Sequence, residues 1–109
     1  MFKIVKKEWL NKEICLMDIE APHISKAAKP GQFLIVKIDE IGERIPLTIC
    51  DFNKKAGTVT IVFFVIGEST KRMGELEVGD YFRDVIGPLG QESEFLHEDL
   101  EELKTKKKK

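Results

Sequence analysis

A chain of 109 residues, 42% hydrophobic and 34% charged, is long enough for one domain with a single core. Its 18 basic and 19 acidic side chains leave a net charge of -1, so no overall field draws it to nucleic acid or to an anionic membrane. The longest apolar run, 61–66, is far too short to cross a bilayer, and residues 1–4 lead into charged residues rather than the apolar stretch of a secretion leader.

Two cysteines, Cys15 and Cys50, stand far apart with no Cys-x-x-Cys spacing, which fits a cytoplasmic protein with reduced thiols. Cys50 is expected to be buried and inert. Abundant Lys and Glu against two Asn and two Gln hint at a thermophilic source.

In chain order, residues 1–6 alternate and read as a strand, and 14–19 as a second, with Asn11-Lys12 as the hairpin turn between them. Residues 21–30 read as a polar loop with two prolines, closed by Pro30-Gly31. A third strand, 33–38, is apolar enough to be buried on both faces for part of its length. A fourth, 44–50, contains Pro46, which forbids one ladder hydrogen bond; the strand is therefore an edge, or a place where something other than a strand approaches.

Residues 58–66, rich in β-branched and aromatic side chains, form the clearest strand. Thr70, Met73 and Leu76 give 69–76 helical spacing, and 81–86 reads as the sixth strand. Leu96, Leu100 and Leu103 repeat at helical intervals, with acids at the start and lysines at the end of that segment. The expectation is an all-β fold: a six-stranded antiparallel Greek-key barrel over residues 1–92, with one short inserted helix, then a C-terminal helix and lysine tail over 93–109.

Self-contained catalysis has little support. There is no Gly-x-Gly-x-x-Gly after a strand and no phosphate-binding P-loop. His23 and His97 have no metal-ligand spacing and read as surface residues, and Glu98, Asp99, Glu101 and Glu102 read as a solvated helix face. No catalytic residue and no metal ligand is nominated. Phe33, Phe63 and Phe64 read as core, which disfavours a nucleic-acid groove lined with exposed aromatics.

Two segments remain. Arg44, Pro46, Leu47 and Thr48 read either as an edge strand with one exposed arginine or as a clamp whose guanidinium fork takes two phosphate oxygens. Gly67, Ser69 and Thr70, at the start of the short helix, read either as a helix cap or as a phosphate cradle of backbone N–H groups and hydroxyls.

Together with Pro30-Gly31-Gln32-Phe33 and Gly87-Pro88-Leu89-Gly90, these segments resemble, in order, the flavin-binding barrel of the ferredoxin–NADP reductase superfamily. Within it they are most similar to the alpha subunit of NADH-dependent ferredoxin–NADP oxidoreductase and to the dihydroorotate dehydrogenase electron-transfer subunit. The resemblance implies a barrel holding FAD, in preference to FMN. Arg44 would neutralise the pyrophosphate, and Pro46, Leu47 and Thr48 would lie along the isoalloxazine. Val65 and Ile66 would contact the ribityl chain and ring, and Gly67, Ser69 and Thr70 would hold the phosphates. Gly31 and Gln32 would be structural.

Three departures stand out. Arg44 is four residues before Thr48 where the pattern has three, no aromatic stands where many relatives stack a tyrosine, and residues 91–109 do not continue as the Gly-rich strand of a nucleotide domain. The implied function is a stand-alone flavin domain, at most the electron-transfer component of an oxidoreductase. It would work with a separate NAD(P)H- or iron–sulfur-containing redox chain, or by self-association, and without nucleic acid or membrane. An apolar patch left uncovered would be screened by residues 95–103 or by a second copy. The alternative is a barrel without flavin, acting as a binding or assembly module or a truncated remnant.

Overall fold

The computed structural model describes residues 2–91, so the expected helix over 95–103, the lysine tail and His97 lie outside the described residues. The elements are β1 (Phe2–Trp9), β2 (Ile14–Glu20), α1 (Pro22–Ala27), β3 (Phe33–Lys37), β4 (Arg44–Asn53), β5 (Thr58–Phe64), α2 (Glu68–Glu75), β6 (Tyr81–Phe82) and β7 (Asp84–Leu89). Every strand pairing is antiparallel.

The sheet runs β6-β1-β2-β5-β4-β3-β7. β3, β4 and β5 form a meander, and β2 reaches its place beside β5 through the long connection 21–32, which is Greek-key topology. The strand expected over 81–86 is two strands, not one, and six strands become seven. The break falls at Arg83. Before it, Phe2 pairs with Phe82; after it, Lys37 pairs with Asp84, and the Arg83 N–H donates to the Lys37 carbonyl at 2.9 Å. The last strand thus changes partner from β1 to β3, joining the two ends of the sheet into a barrel and removing open edges there.

Alternation decides what the barrel encloses. Cys15, Met17 and Ile19 of β2, Leu34 and Val36 of β3, and Val59, Ile61 and Phe63 of β5 point inward and are buried with Ile4, Ile49 and Phe82. β3 is therefore not buried on both faces: its intervening side chains are only half-buried. Burial pushes the Cys15 thiol above its ordinary range, against the lowering influence of Lys7. Phe63 belongs to the core as expected, but Phe64 does not; it faces outward, 56% exposed, opposite Ile14.

The stretch read as a polar loop contains a helix. Pro22 opens α1 at its first turn, where its missing N–H costs nothing, and Ala21, Ile24 and Ala28 bury one face against the barrel. At its far end Gly31 turns the chain with φ +87°, a conformation glycine adopts without strain. The Gln32 side chain then accepts from Lys29 N (2.9 Å) and donates to the Gly90 carbonyl (2.8 Å), tying this connection to the end of β7. α2 caps the barrel on another side. Lys7 of β1, its side chain only 8% exposed, donates to the Gly74 carbonyl at 2.7 Å near the helix C-terminus and pairs with Glu77 at 3.0 Å.

Candidate functional site

β4 is paired on one edge along its first half and on the other edge along its second. Residues 44–48 are in register with β3, from Lys37↔Arg44 to Phe33↔Thr48, whereas pairing with β5 begins at Ile49↔Ile61. The Ile49 N–H donates to the Gln32 carbonyl at 3.0 Å, on the β3 side. Backbone groups alternate edges along a strand. Ile45, Leu47 and Ile49 therefore use their N–H groups toward β3, and Arg44 and Thr48 turn theirs toward the opposite edge. Pro46, with no N–H, falls where its absence costs the β3 ladder nothing. A bulge between Ile49 and Asp51 follows, with Cys50 as its extra residue.

The same alternation sorts the side chains. Arg44, Pro46 and Thr48 are exposed on one face, while Ile45 and Leu47 are half-buried against the core. Of the four residues singled out on this strand, three share an outer face and Leu47 is turned away from it. Cys50 follows Thr48 on the exposed face, its thiol 3.8 Å from the Thr48 carbonyl, so the expectation of a buried thiol is overturned by the strand's period of two.

The second segment forms the N-terminus of α2. Thr70 Oγ1 accepts from the N–H groups of Ile66 and Gly67, both at 3.0 Å, and donates to the Gly67 carbonyl at 3.1 Å. Thr70 is thus a helix-capping residue. The first intrahelical bond runs from Lys71 N to Gly67 O at 2.9 Å, so the N–H groups of Glu68, Ser69 and Thr70 lie in the first turn, where a helix supplies no acceptor. Gly67 is extended, at φ -156° and ψ -179°, and a Cβ built on it meets nothing within 4 Å. Neither backbone nor packing calls for glycine there; open space lies over the first turn of the helix. Ile66 is 83% exposed beside it. Val65 instead packs against the core and the Gly74 turn of α2, its N–H bonded to the Glu13 carbonyl at 2.7 Å.

The two segments meet. The Ser69 hydroxyl donates to the Glu43 carboxylate, immediately before Arg44, and the Arg72 guanidinium pairs with Asp39 in the same turn. Asp39 also accepts from the N–H groups of Gly42 (2.7 Å) and Ile41 (3.2 Å). The start of β4 is thereby held to the first turns of α2. Sequence reading missed Glu43, Asp39 and Arg72, because nothing in their spacing predicts contacts across 26 and 33 residues.

Desolvation pushes the Asp39 carboxyl up, but the Gly42 N–H, the Arg72 guanidinium and the Ile41 N–H outweigh it and hold the group below the usual carboxylate range. A carboxyl depressed in the folded state contributes stability above its unfolded-chain value and loses it as pH falls through the folded one. The difference in melting temperature between the natural chain and Asp39→Asn is therefore full at neutral pH and closes on acidification through the carboxylate range. A gap that does not change with pH would contradict this role.

An exposed guanidinium at one end, a strand edge and outward face at the other, and a helix N-terminus with open space over Gly67 form a donor set suited to a flat ligand carrying phosphate. Among the described residues, no group of three or more His, Cys, Asp or Glu is placed to hold a metal ion, and no helix is long and apolar enough to cross a membrane.

The fold is that of a barrel of the ferredoxin–NADP reductase type, as comparison with known proteins shows. The chain is 39% identical, with a TM-score of 0.83, to a solved NADH-dependent reduced ferredoxin–NADP oxidoreductase studied for flavin-based electron bifurcation, over 86% of this chain and 36% of that one. It is 40% identical over 92 residues to a Thermotoga maritima homolog of the dihydroorotate dehydrogenase B (NAD(+)) electron transfer subunit, over 84% of this chain and 33% of the relative. A Clostridium beijerinckii protein described as "uncharacterized protein in adh 3'region" is 58% identical over 97% of this chain and 36% of its own length. The cytochrome b5 reductase domain of Ulva prolifera nitrate reductase shares the fold at a TM-score of 0.62 and 17% identity. No family model matches the chain. The chain belongs with these ferredoxin–NADP reductase-type proteins, and it spans about a third of the length of the curated relatives it matches.

Proposed function

We propose that this barrel binds a flavin, FAD in preference to FMN, and passes electrons as one component of an oxidoreductase. The observation that carries the reading is the meeting of the half-paired stretch of β4 with the first turn of α2, under the open space at Gly67. The similarity to chains named as electron transfer subunits and to a solved ferredoxin–NADP oxidoreductase supports it.

In this reading Arg44 pairs with the pyrophosphate, whose negative charge also faces the first-turn N–H groups of α2. Ser69 offers its hydroxyl to the same group, and Thr70 keeps the helix start in shape by capping it. Pro46 and Thr48 lie along the isoalloxazine, with Thr48 near its reactive edge, and Leu47 supports the strand from the core side. Ile66 contacts the ribityl chain and ring, and Val65 sets its position from within. The flavin supplies the redox chemistry, and the protein supplies binding and the local field. The electron donor or acceptor is a separate NAD(P)H- or iron–sulfur-containing chain, or a second copy of this one, in a cytoplasmic setting.

Gly67→Ala tests the reading. The change at the cap alone costs under about 1 kcal/mol, so the ligand-free melting temperature falls by at most several degrees and is measured separately as the baseline. FAD at 100 times its dissociation constant stabilises the natural chain by about 2.7 kcal/mol, and the added methyl, standing in the phosphate space, removes most of that shift. A natural chain whose melting is unmoved by FAD would leave the barrel as a binding or assembly module without flavin.

A further inference from the structure

The Ser69 hydroxyl has one proton to give, and here it goes to Glu43. That places a carboxylate at the first turn of α2, where the helix favours negative charge and where the flavin reading puts a phosphate. Two anions do not share this place: a phosphate that takes the Ser69 hydroxyl has to displace the Glu43 carboxylate. We infer that Glu43 is an internal competitor for the flavin phosphates, a residue that limits the affinity of phosphorylated flavins without touching the ring end of the site. The inference rests on the flavin reading above.

The surroundings suit a carboxylate that comes and goes. The turn before β4 has a second tether, Arg72 to Asp39, itself fixed by the Gly42 and Ile41 N–H groups. When Glu43 leaves Ser69, the turn remains attached to α2, so displacement opens the phosphate position without releasing the strand that carries Arg44. Glu43 is exposed, so its carboxylate moves into water with little desolvation to reverse. Glu68, in the first turn of α2, adds a further negative charge nearby, but its side chain has no bond to Ser69 among those described, and the competition belongs to Glu43.

The test compares FAD with riboflavin, which has the ring and ribityl chain and no phosphate. Glu43→Gln keeps an oxygen acceptor for Ser69 and removes the charge. Titrated by flavin fluorescence at low salt, Glu43→Gln binds FAD about two- to fivefold more tightly than the natural chain, the range expected for one charge at a helix terminus. Riboflavin affinity is unchanged, and the FAD gain shrinks as salt is added. Ser69→Ala, which removes the shared donor, weakens FAD in both backgrounds. Natural-chain binding of FAD with no gain, or a loss, in Glu43→Gln would overturn the inference and leave the flavin site standing. An equal gain for riboflavin would overturn it too, because the effect would then not be on phosphate. If neither protein binds either flavin, the flavin reading itself falls and this inference falls with it.

Discussion

Arg44→Ala is expected to weaken FAD binding by about ten- to a hundredfold, the loss of a charge-assisted hydrogen-bonded pair of roughly 1.5–3 kcal/mol. Because Arg44 is exposed, the lower end of that range applies at physiological salt. Riboflavin binding stays near that of the natural chain, since the arginine faces the pyrophosphate and not the ring. Arg44→Lys recovers part of the affinity: the charge is restored, but an ammonium does not present the planar fork that takes two phosphate oxygens. Titration of the three proteins with both flavins separates these outcomes. Equal losses for FAD and riboflavin would move Arg44 to the ring end and undo the assignment of the two ends of the site.

Phe82→Ala is expected to be the most damaging single truncation for the fold, at about 3–5 kcal/mol. Phe82 is fully buried in a strand of only two residues, and its pairing with Phe2, beside that of Tyr81 with Lys3, attaches this strand to β1. Removing the ring leaves a void at the seam where β6 hands over to β7. A loss of that size is a large part of the about 5–15 kcal/mol that stabilises an ordinary domain. At roughly 4–8 °C per kcal/mol, the melting temperature falls by more than about 10 °C. Tyr81, the neighbouring residue, is 47% exposed, and its truncation to alanine costs about 1 kcal/mol. Denaturant unfolding of both variants makes the comparison, and similar losses at the two positions would show that the seam is not closed by Phe82.

Much of the barrel was legible because alternation and turn chemistry are local. Ile14, Leu16 and the clear β5 run set strands at the right places, and Asn11 takes the two N–H groups of Glu13 and Ile14 at the hairpin, as a turn asparagine should. Pro46 rightly marked a stretch of strand whose outer edge is unlike the rest. What was not legible depends on partners. Nothing in 81–86 says that the strand changes neighbour at Arg83; that is decided by where the ends of β1 and β3 lie. The helix α1 is six residues that begin at one proline and end shortly before another, too short for the Ala21-Ile24-Ala28 spacing to outweigh them. Phe64 lies in the same apolar run as Phe63, which suggests core, but adjacent strand residues face opposite ways and Phe64 is exposed.

The candidate site shows the same division. Arg44, Pro46, Thr48, Gly67, Ser69 and Thr70 could be picked from sequence, by residue type and by a family resemblance carried on short motifs. The side-chain links that bring the segments together, Glu43 to Ser69 and Asp39 to Arg72, could not, because they join residues distant in the chain. Nor did the motif separate Leu47, turned to the core, from its exposed neighbours; the strand's period does.

The most direct measurement is the absorbance spectrum of the purified protein, taken as isolated and again after incubation with FAD and desalting. The account predicts an oxidised-flavin band near about 450 nm that stays with the protein through desalting and is reduced on addition of a chemical electron donor. A colourless protein that releases all added FAD would contradict it, and would make this a barrel that shares the fold of flavin domains without their cofactor.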